Sequence, residues 1–269
     1  RLYLNRGTGG TTGKPVGFFW TQGDWRASVE AMVRGMSDVK IKMPLMAFNG
    51  YNQGHIAGPI FDWTIRMLGG VSVPRHFKSN EEQAVEQMRE YKCNCLIATP
   101  QSGSGKGGSL MDFLDIDNGE YINGENVQLY LCSSTPLTDE LISELEDLGI
   151  KQIVNFYGST DALPTAISCQ ADKKALHVMQ GHIFLEVVDE NGKHVKNGER
   201  GRVVVTRIGG SSDNGIDVCK GTQLIRFFVG DEATYVEDKC ACGKTTPRIK
   251  DIKRVSYLED KSQGGCEIW

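Results

Sequence analysis

The 269-residue sequence has no excess of positive charge: 30 Lys and Arg stand against 34 Asp and Glu, giving a formal net charge of −4 and a pI near 5.8. Without a basic stripe it lacks the electrostatic footprint of a nucleic-acid binder. No apolar run approaches the roughly 20 residues that span a bilayer, so no membrane helix is expected. No signal-peptide pattern is visible, and there is no initial Met. The chain opens at Arg1 inside what reads as a strand, so it is expected to be a fragment. Neither an internal repeat nor a Pro- or Ser-rich linker divides it. The eight cysteines are scattered through a chain large enough to fold without staples. They do not read as a disulfide framework. The default compartment is cytoplasmic, with some cysteines buried and others on a metal.

What is present fits a soluble globular protein, with 39% apolar and 24% charged residues. "RLYLN" (1–5) reads as a strand, and 24–38 as a helix with Asp24 as its N-cap. "EEQAVEQMREYK" (81–92) has the pattern of an amphipathic helix capped by Ser79 or Asn80. "CNCLIAT" (93–99), "VQLYLCSS" (127–134) and "KQIVNFYG" (151–158) read as strands, and "TDELISELEDLG" (138–149) as a helix ending at Gly149. This alternation predicts an α/β fold with a mixed, mostly parallel sheet. After about residue 175 the pattern turns to β. Strands joined by an Asn191-Gly192 turn are expected, and "QLIRFFVGDEATYVED" predicts two more. The expected division is an α/β part over 1–175, a β-rich part over 176–252 and a tail over 253–269.

The opening stretch "RGTGGTTGKPVGF" (6–18) packs glycines and threonines around one lysine. It is not a Walker A loop, because Gly13-Lys14 is followed by Pro15 and Thr8 stands where the first Gly belongs. Nor does Gly7-Thr8-Gly9 complete a dinucleotide fingerprint, since position 12 is Thr12. Two readings stay open. Glycine backbones let N–H groups converge on an anion, with hydroxyls from Thr8, Thr11 and Thr12 and a charge from Lys14. The other reading is a surface loop. A second glycine-rich stretch, "QSGSGKGGS" (101–109), is likewise not a Walker A motif and reads as a mobile loop.

Four separated stretches, "GTGGTTGKP" (7–15), "NFYGSTDA" (155–162), "GERGRVVVT" (198–206) and "LIRFFVGDEA" (224–233), occur in the order found in one family. A fifth, "CACGKTTPRI" (240–249), follows where one branch of that family carries a similar segment. The set resembles the adenylate-forming ligase superfamily, in its phenylacetate–CoA ligase-like branch, over essentially the whole chain. The resemblance implies the large N-terminal domain of such an enzyme, incomplete at both ends. It also implies an activity, in which a carboxylic acid and ATP give an acyl-adenylate and pyrophosphate, and a thiol such as coenzyme A or a carrier protein takes the acyl group. The branch favours an aromatic acid.

By the same resemblance, Thr8, Gly9, Gly10, Thr11, Thr12, Gly13 and Lys14 would hold the β- and γ-phosphates. Tyr157 and Gly158 would frame the adenine, Asn155 would bond its amino group, and Thr160 would meet the α-phosphate. Asp161 stands where the family has a Mg²⁺-binding Glu, one methylene longer. Ser133, Ser134, Thr135 and Pro136 take the place of the strand-end segment that flanks adenine. Asp231 would accept both ribose hydroxyls, as a carboxylate can. The residues before Gly230-Asp231, Phe227-Phe228-Val229, lack the family's basic residue and hydroxyl. Without the family context, Tyr157-Gly158 and Gly230-Asp231 would read as turns. Phe48, Tyr51, His55 and Phe156 are the candidate walls of the acid pocket.

Cys240 and Cys242 form a Cys-x-Cys-Gly knuckle, and a closed zinc site needs two further ligands. Cys169 and His177 match a Cys and a His of the branch and would complete a Cys₃His site. Alternatively the four are ordinary residues. Cys93 and Cys95, in an apolar run, read as core. Family members continue into a small C-terminal domain with a catalytic lysine, entered through a Gly-Arg-x-Asp hinge. Arg254 matches the hinge arginine, while Lys253 and Ser256 replace the Gly and Asp. That leaves an unseen domain or a shortened member of the kind found in antibiotic pathways, including phenazine tailoring. It also leaves two functions: an AMP-forming acid ligase, or a nucleotide- or acyl-binding protein derived from one.

Overall fold

The computed structural model of the chain describes residues 2–7, 17–101, 108–208 and 221–255, the first segment by its backbone alone. β1 (Leu2–Gly7) and β2 (Gly17–Thr21) form an antiparallel pair, followed by α1 (Gln22–Gly35). Helices and strands then alternate through β3 (Met46–Asn49), α2 (Ala57–Met67), β4 (Val71–Pro74), α3 (Glu81–Glu90) and β5 (Cys95–Ile97). The alternation continues with α4 (Leu110–Asp117), β6 (Leu129–Ser133), α5 (Asp139–Asp147) and β7 (Gln152–Tyr157). Strands complete the described chain: β8 (Ala166–Cys169), β9 (Asp172–Val178), β10 (Ile183–Val188), β11 (Arg200–Arg207), β12 (Phe227–Val236) and β13 (Arg248–Arg254). Among the described residues no helix is long and apolar enough to cross a membrane.

Two compact units result: Met36–Phe156, and Arg1–Gly35 with Tyr157–Trp269. β8 and β9 are antiparallel partners, and β9 pairs in turn with β13. In the Met36–Phe156 unit the strands are parallel, in the order β7-β6-β5-β3-β4. The order reverses at β3, so the carboxyl ends of β3 and β5 flank the switch point where open α/β sheets bind ligands.

Local chemistry starts the helices of this unit. Asn80 caps α3 by accepting from the Gln83 N–H (2.9 Å), while the Gln83 side chain accepts from the Asn80 N–H (3.1 Å). Such reciprocal boxes satisfy donors that have no intrahelical partner. Ser109 and Asp112 do the same for α4, and Thr138 caps α5. The apolar faces of α3 and α4, including Val85, Met88, Phe113 and Leu114, close over Phe48, Leu96 and Tyr130. Phe48 meets Phe113 edge to face at 5.9 Å, a geometry worth about 0.5–1.5 kcal/mol beyond area burial. Cys93 and Cys95 are core residues, as expected. Burial pushes the Cys93 thiol up to about 12.

The other unit is antiparallel, ordered β10-β11-β12-β13-β9-β8. Three details depart from the sequence reading. "QLIRFFVGDEATYVED" contains one ten-residue strand, β12, rather than two. Gly230-Asp231 is not a hairpin turn but part of an irregularity in which the register slips between Arg202 and Val204 of β11. Asp24 does not cap α1 from outside. The helix begins at Gln22, and Asp24 in its first turn accepts from the Thr21 N–H and hydroxyl (2.9 Å each), while its own N–H donates to Thr21 Oγ1 (3.1 Å).

Asp24 also accepts from the Gly221 N–H (3.0 Å) and pairs with Arg207 (3.4 Å), whose guanidinium lies 4.4 Å from the Trp20 ring centroid. Both charged side chains are almost wholly buried. Breaking such a pair strands a charge in low dielectric, at a cost of about 3–5 kcal/mol. Asp24→Ala is expected to lower unfolding stability by about that amount in urea denaturation. A change under about 1 kcal/mol would assign the pair no structural weight.

Candidate functional site

β7 ends at Tyr157, so Asn155, Phe156 and Tyr157 lie within the strand and the loop starts at Gly158. An added Cβ at Gly158 would come within 2.7 Å of Leu163 and 3.0 Å of the Ala162 carbonyl, so the loop folds back too tightly for any side chain there. The Tyr157 hydroxyl donates to Asp231 Oδ2 (2.7 Å). Burial, and then the neighbouring Asp231 charge, hold the Tyr157 phenol well above its ordinary pKa, so it remains a donor.

Asp231 lies opposite Arg254 in the β12–β13 register, and Arg254 Nη1 reaches both Asp231 Oδ1 (3.3 Å) and the Val229 carbonyl (2.9 Å). Gly230 makes this possible. Its φ is +87°, and a Cβ there would lie 2.6 Å from Arg254 Nη1. The strand irregularity thus aims one carboxylate at two donors, which matches the tendency of bulges to re-aim side chains. A carboxylate has about four acceptor positions, so with one hydrogen bond on each oxygen two remain for a vicinal diol.

Thr160 and Asp161 are buried in the loop after Gly158. Burial raises the Asp161 carboxyl above the usual range, and Asp231 adds to the effect. A carboxylate that pays a desolvation cost is one that a cation stabilises, and Asp is a hard oxygen ligand suited to Mg²⁺.

The candidates in the Met36–Phe156 unit are placed differently. Asn155 Oδ1 lies 3.8 Å from the Cys132 thiol. β6 ends at Ser133, and Ser134 beyond it adopts a left-handed φ of +82°. Thr135 Oγ1 accepts from the Gln101 N–H (3.2 Å), and Pro136 is exposed. Phe48, Tyr51 and Phe156, expected as pocket walls, are at most 2% exposed. Phe61 stacks on Tyr51 at 5.3 Å and meets Phe156 edge-on at 5.2 Å. They present no open surface. His55 is partly buried, and its Nδ1 accepts from the Ala57 N–H (3.2 Å) at the start of α2. Residues 8–14 and Ser256 lie outside the described residues.

Cys169, His177, Cys240 and Cys242 come together, with their ligand atoms within 4.8 Å of one another. Cys169 Sγ is 3.6 Å from Cys240 Sγ, and Cys242 Sγ is 3.3 Å from His177 Nε2. Tetrahedral zinc with bonds of roughly 2.0–2.3 Å has ligand–ligand edges of about 3.5–3.8 Å. His177 Nδ1 faces the Thr246 carbonyl (3.2 Å) and hydroxyl (3.1 Å). Donation to that carbonyl leaves Nε2 as the ligand atom, as metal-bound imidazoles require. Burial, then the Cys240 thiol, pushes Cys169 up to about 12. At Cys240 burial is outweighed by hydrogen bonds from the Cys242 N–H and the thiols, and its pKa is lowered.

Arg248, which the motif reading did not single out, braces this cluster from outside. Its Nη1 pairs with Asp172 (3.1 Å) beside Cys169, and its Nη2 donates to the Asp238 carbonyl (3.2 Å) ahead of Cys240. The Arg in the "PRI" triplet was the available signal.

A family model described as AMP-binding enzyme matches residues 8–211. Phenylacetate-coenzyme A ligase of Thermus thermophilus is 23% identical over 248 residues, covering 90% of this chain and 52% of the relative. Indoleacetate–CoA ligase of Aromatoleum aromaticum is 25% identical over 206 residues, covering 74% and 38% respectively. The chain thus spans about half or less of these relatives' length. A 2-hydroxyisobutyryl-CoA ligase structure in complex with 2-HIB-AMP and CoA, in the thioesterification state, aligns with a TM-score of 0.77 at 20% identity, over 94% of this chain and 52% of that one. An anthranilate CoA ligase in complex with anthranoyl-AMP aligns with a TM-score of 0.64 at 17% identity, over 93% and 46%. At these identities the structural likeness concerns the fold, and it matches the α/β architecture described above.

Gly230→Ala places a side chain in the left-handed region and against the Arg254 guanidinium. It is expected to cost about 1–3 kcal/mol of stability, read as a lowered denaturation midpoint. An unchanged midpoint would show that the strand relaxes freely at this position.

Proposed function

Because the chain belongs to the AMP-binding enzyme family, we propose that it activates a carboxylic acid with ATP and passes the acyl group to a thiol, that of coenzyme A. The observation that carries this reading is the Asp231 carboxylate, held by Tyr157 and Arg254 with acceptor capacity left over. In the proposed reaction a carboxylate oxygen bonds to the α-phosphorus, the bond to the β-phosphate bridge breaks, and pyrophosphate leaves. An anion then attacks an already anionic phosphorus, so preorganised donors are the main requirement.

In this reading Asp231 takes the ribose diol, the Tyr157 ring and Asn155 take the adenine, and Thr160 donates to the α-phosphate. The 133–136 segment flanks the base. Thr11, Lys14 and the glycines between them meet the charge that grows on the departing pyrophosphate. Asp161 would hold Mg²⁺, which supplies further charge neutralisation when bound. The acid is proposed to be aromatic, in keeping with phenylacetate and indoleacetate ligases among the relatives.

Zinc is proposed for the Cys₃His cluster. Its donor set suits a closed structural site, and the Thr246 contact fixes the imidazole tautomer. Such a site would tie β8, β9 and the 240–242 knuckle together.

Two measurements test these assignments. Purified protein is expected to exchange labelled pyrophosphate into ATP only when an aryl acid is added, and Thr11→Ala or Lys14→Ala should slow exchange more than they weaken ATP binding. A protein that binds ATP yet shows no exchange with a broad acid panel would overturn the ligase reading. For the metal, elemental analysis is expected to find about one zinc per chain, lost in Cys242→Ser together with several degrees of melting temperature. Metal-free wild-type protein with fully titratable thiols would exclude the site.

A further inference from the structure

Tyr51 does something no wall of an acid pocket needs to do. Its hydroxyl donates to the Ser133 carbonyl (2.8 Å) and accepts from the Ser133 N–H (2.9 Å). β5 and β6 pair at Cys95–Leu129, Leu96–Tyr130 and Ile97–Leu131, and the last bond between them runs from the Ala98 N–H to the Leu131 carbonyl (3.2 Å). Extending that register would set Thr99 opposite Ser133. Instead, the phenol of Tyr51 satisfies both backbone groups of Ser133. The N–H that this register would bring to the Ser133 carbonyl belongs to residue 100, which is Pro100 and has none, so the ladder stops there and the Tyr51 hydroxyl supplies the missing partner at the carboxyl ends of β5 and β6.

Tyr51 is itself fixed from behind. Its N–H donates to Asn49 Oδ1 (3.1 Å), and Asn49 Nδ2 donates to Asp62 Oδ1 (2.8 Å) and to the Gly58 carbonyl (2.8 Å). The Ser72 hydroxyl donates to the same Asp62 oxygen. The Tyr51 ring is stacked on Phe61. A polar chain thus runs Ser72–Asp62–Asn49–Tyr51–Ser133, and at its end the backbone turns left-handed at exposed Ser134. Burial keeps the Tyr51 phenol protonated throughout the working pH range, so it remains a donor.

We propose that Tyr51 is a positioning residue for nucleotide, setting the 133–136 strand end through its hydroxyl, and not a specificity wall for the acid. The inference rests on the ligase reading for the assignment of that segment. It adds that the polar chain behind Tyr51 governs affinity for AMP and ATP separately from affinity for the acid.

The test is Tyr51→Phe in the full chain. Phe keeps the stack on Phe61 and removes only the hydroxyl. Two neutral hydrogen bonds are lost, so AMP affinity by calorimetry is expected to fall about tenfold or more, and the KM for ATP to rise in step, while the KM for the acid stays within about twofold. Amide hydrogen exchange should show Ser133 losing protection while β3 and α2 keep theirs. Should Tyr51→Phe fail to fold, Ser134→Val serves instead. It leaves the core untouched, puts a β-branched residue at a left-handed φ, and should produce the same nucleotide-selective loss. Unchanged AMP affinity in a folded variant overturns the proposal, as does a loss confined to the acid KM. Failure of the wild type itself to bind AMP or ATP would strike the ligase reading instead, and Ser133 protection would still report on the clamp.

Discussion

The grip of Tyr157 and Arg254 on the Asp231 carboxylate is the interaction on which the β-rich unit's candidate site depends. It joins the end of β7 to β12 and β13 at one pair of oxygens. Asp231 and Arg254 meet as cross-strand neighbours, and Tyr157, from outside that strand pair, supplies the second donor. The irregular register of β12, with Gly230 at positive φ, turns Asp231 toward both donors and leaves room for the guanidinium. In the proposed reading, a carboxylate oriented this way would meet the ribose diol with little ordering left to be done on binding.

β13 connects this carboxylate to the cysteine–histidine cluster. Arg248 at its start lies opposite His177, and Arg254 at its end lies opposite Asp231. At about 3.3 Å per residue the two ends are roughly 20 Å apart. With the proposed zinc bound, β13 would be tied at one end by the cluster and its Arg248 brace while it carries Arg254 at the other. In the Met36–Phe156 unit positioning rests on a different device. There the Ser72–Asp62–Asn49–Tyr51 chain ends in a hydroxyl that stands in for ladder bonds between β5 and β6 at their carboxyl ends.

Much of this is legible in the sequence. The strand–helix alternation, the cap at Asn80 and the Cys240–Cys242 knuckle are local patterns, and they were read from local residues. The pairing of that knuckle with Cys169 and His177 came from resemblance, since no spacing rule joins positions about 70 residues apart. α2 and α4 went unread because glycine-rich stretches precede them, although Ser109-x-x-Asp112 carries a capping-box signature. Without the family context Gly230-Asp231 reads as a turn, because a positive φ suits both a turn and a strand irregularity. The two backbone groups that the Tyr51 hydroxyl meets are not legible in the sequence, which shows only an aromatic ring. The glycine-rich loop over 8–14, legible as an anion cradle, lies outside the described residues.

The central claim is that Asp231 is the acceptor for a ribose diol, and a paired calorimetric comparison tests it most directly. AMP and its 2′,3′-dideoxy analogue would be titrated into the wild-type chain and into Asp231→Ala. The account predicts that removing the hydroxyls costs the wild type about 1.5–3 kcal/mol of binding, the range for hydrogen bonds to a charged group, and costs the variant almost nothing. Equal losses in both proteins, or none in the wild type, would contradict it.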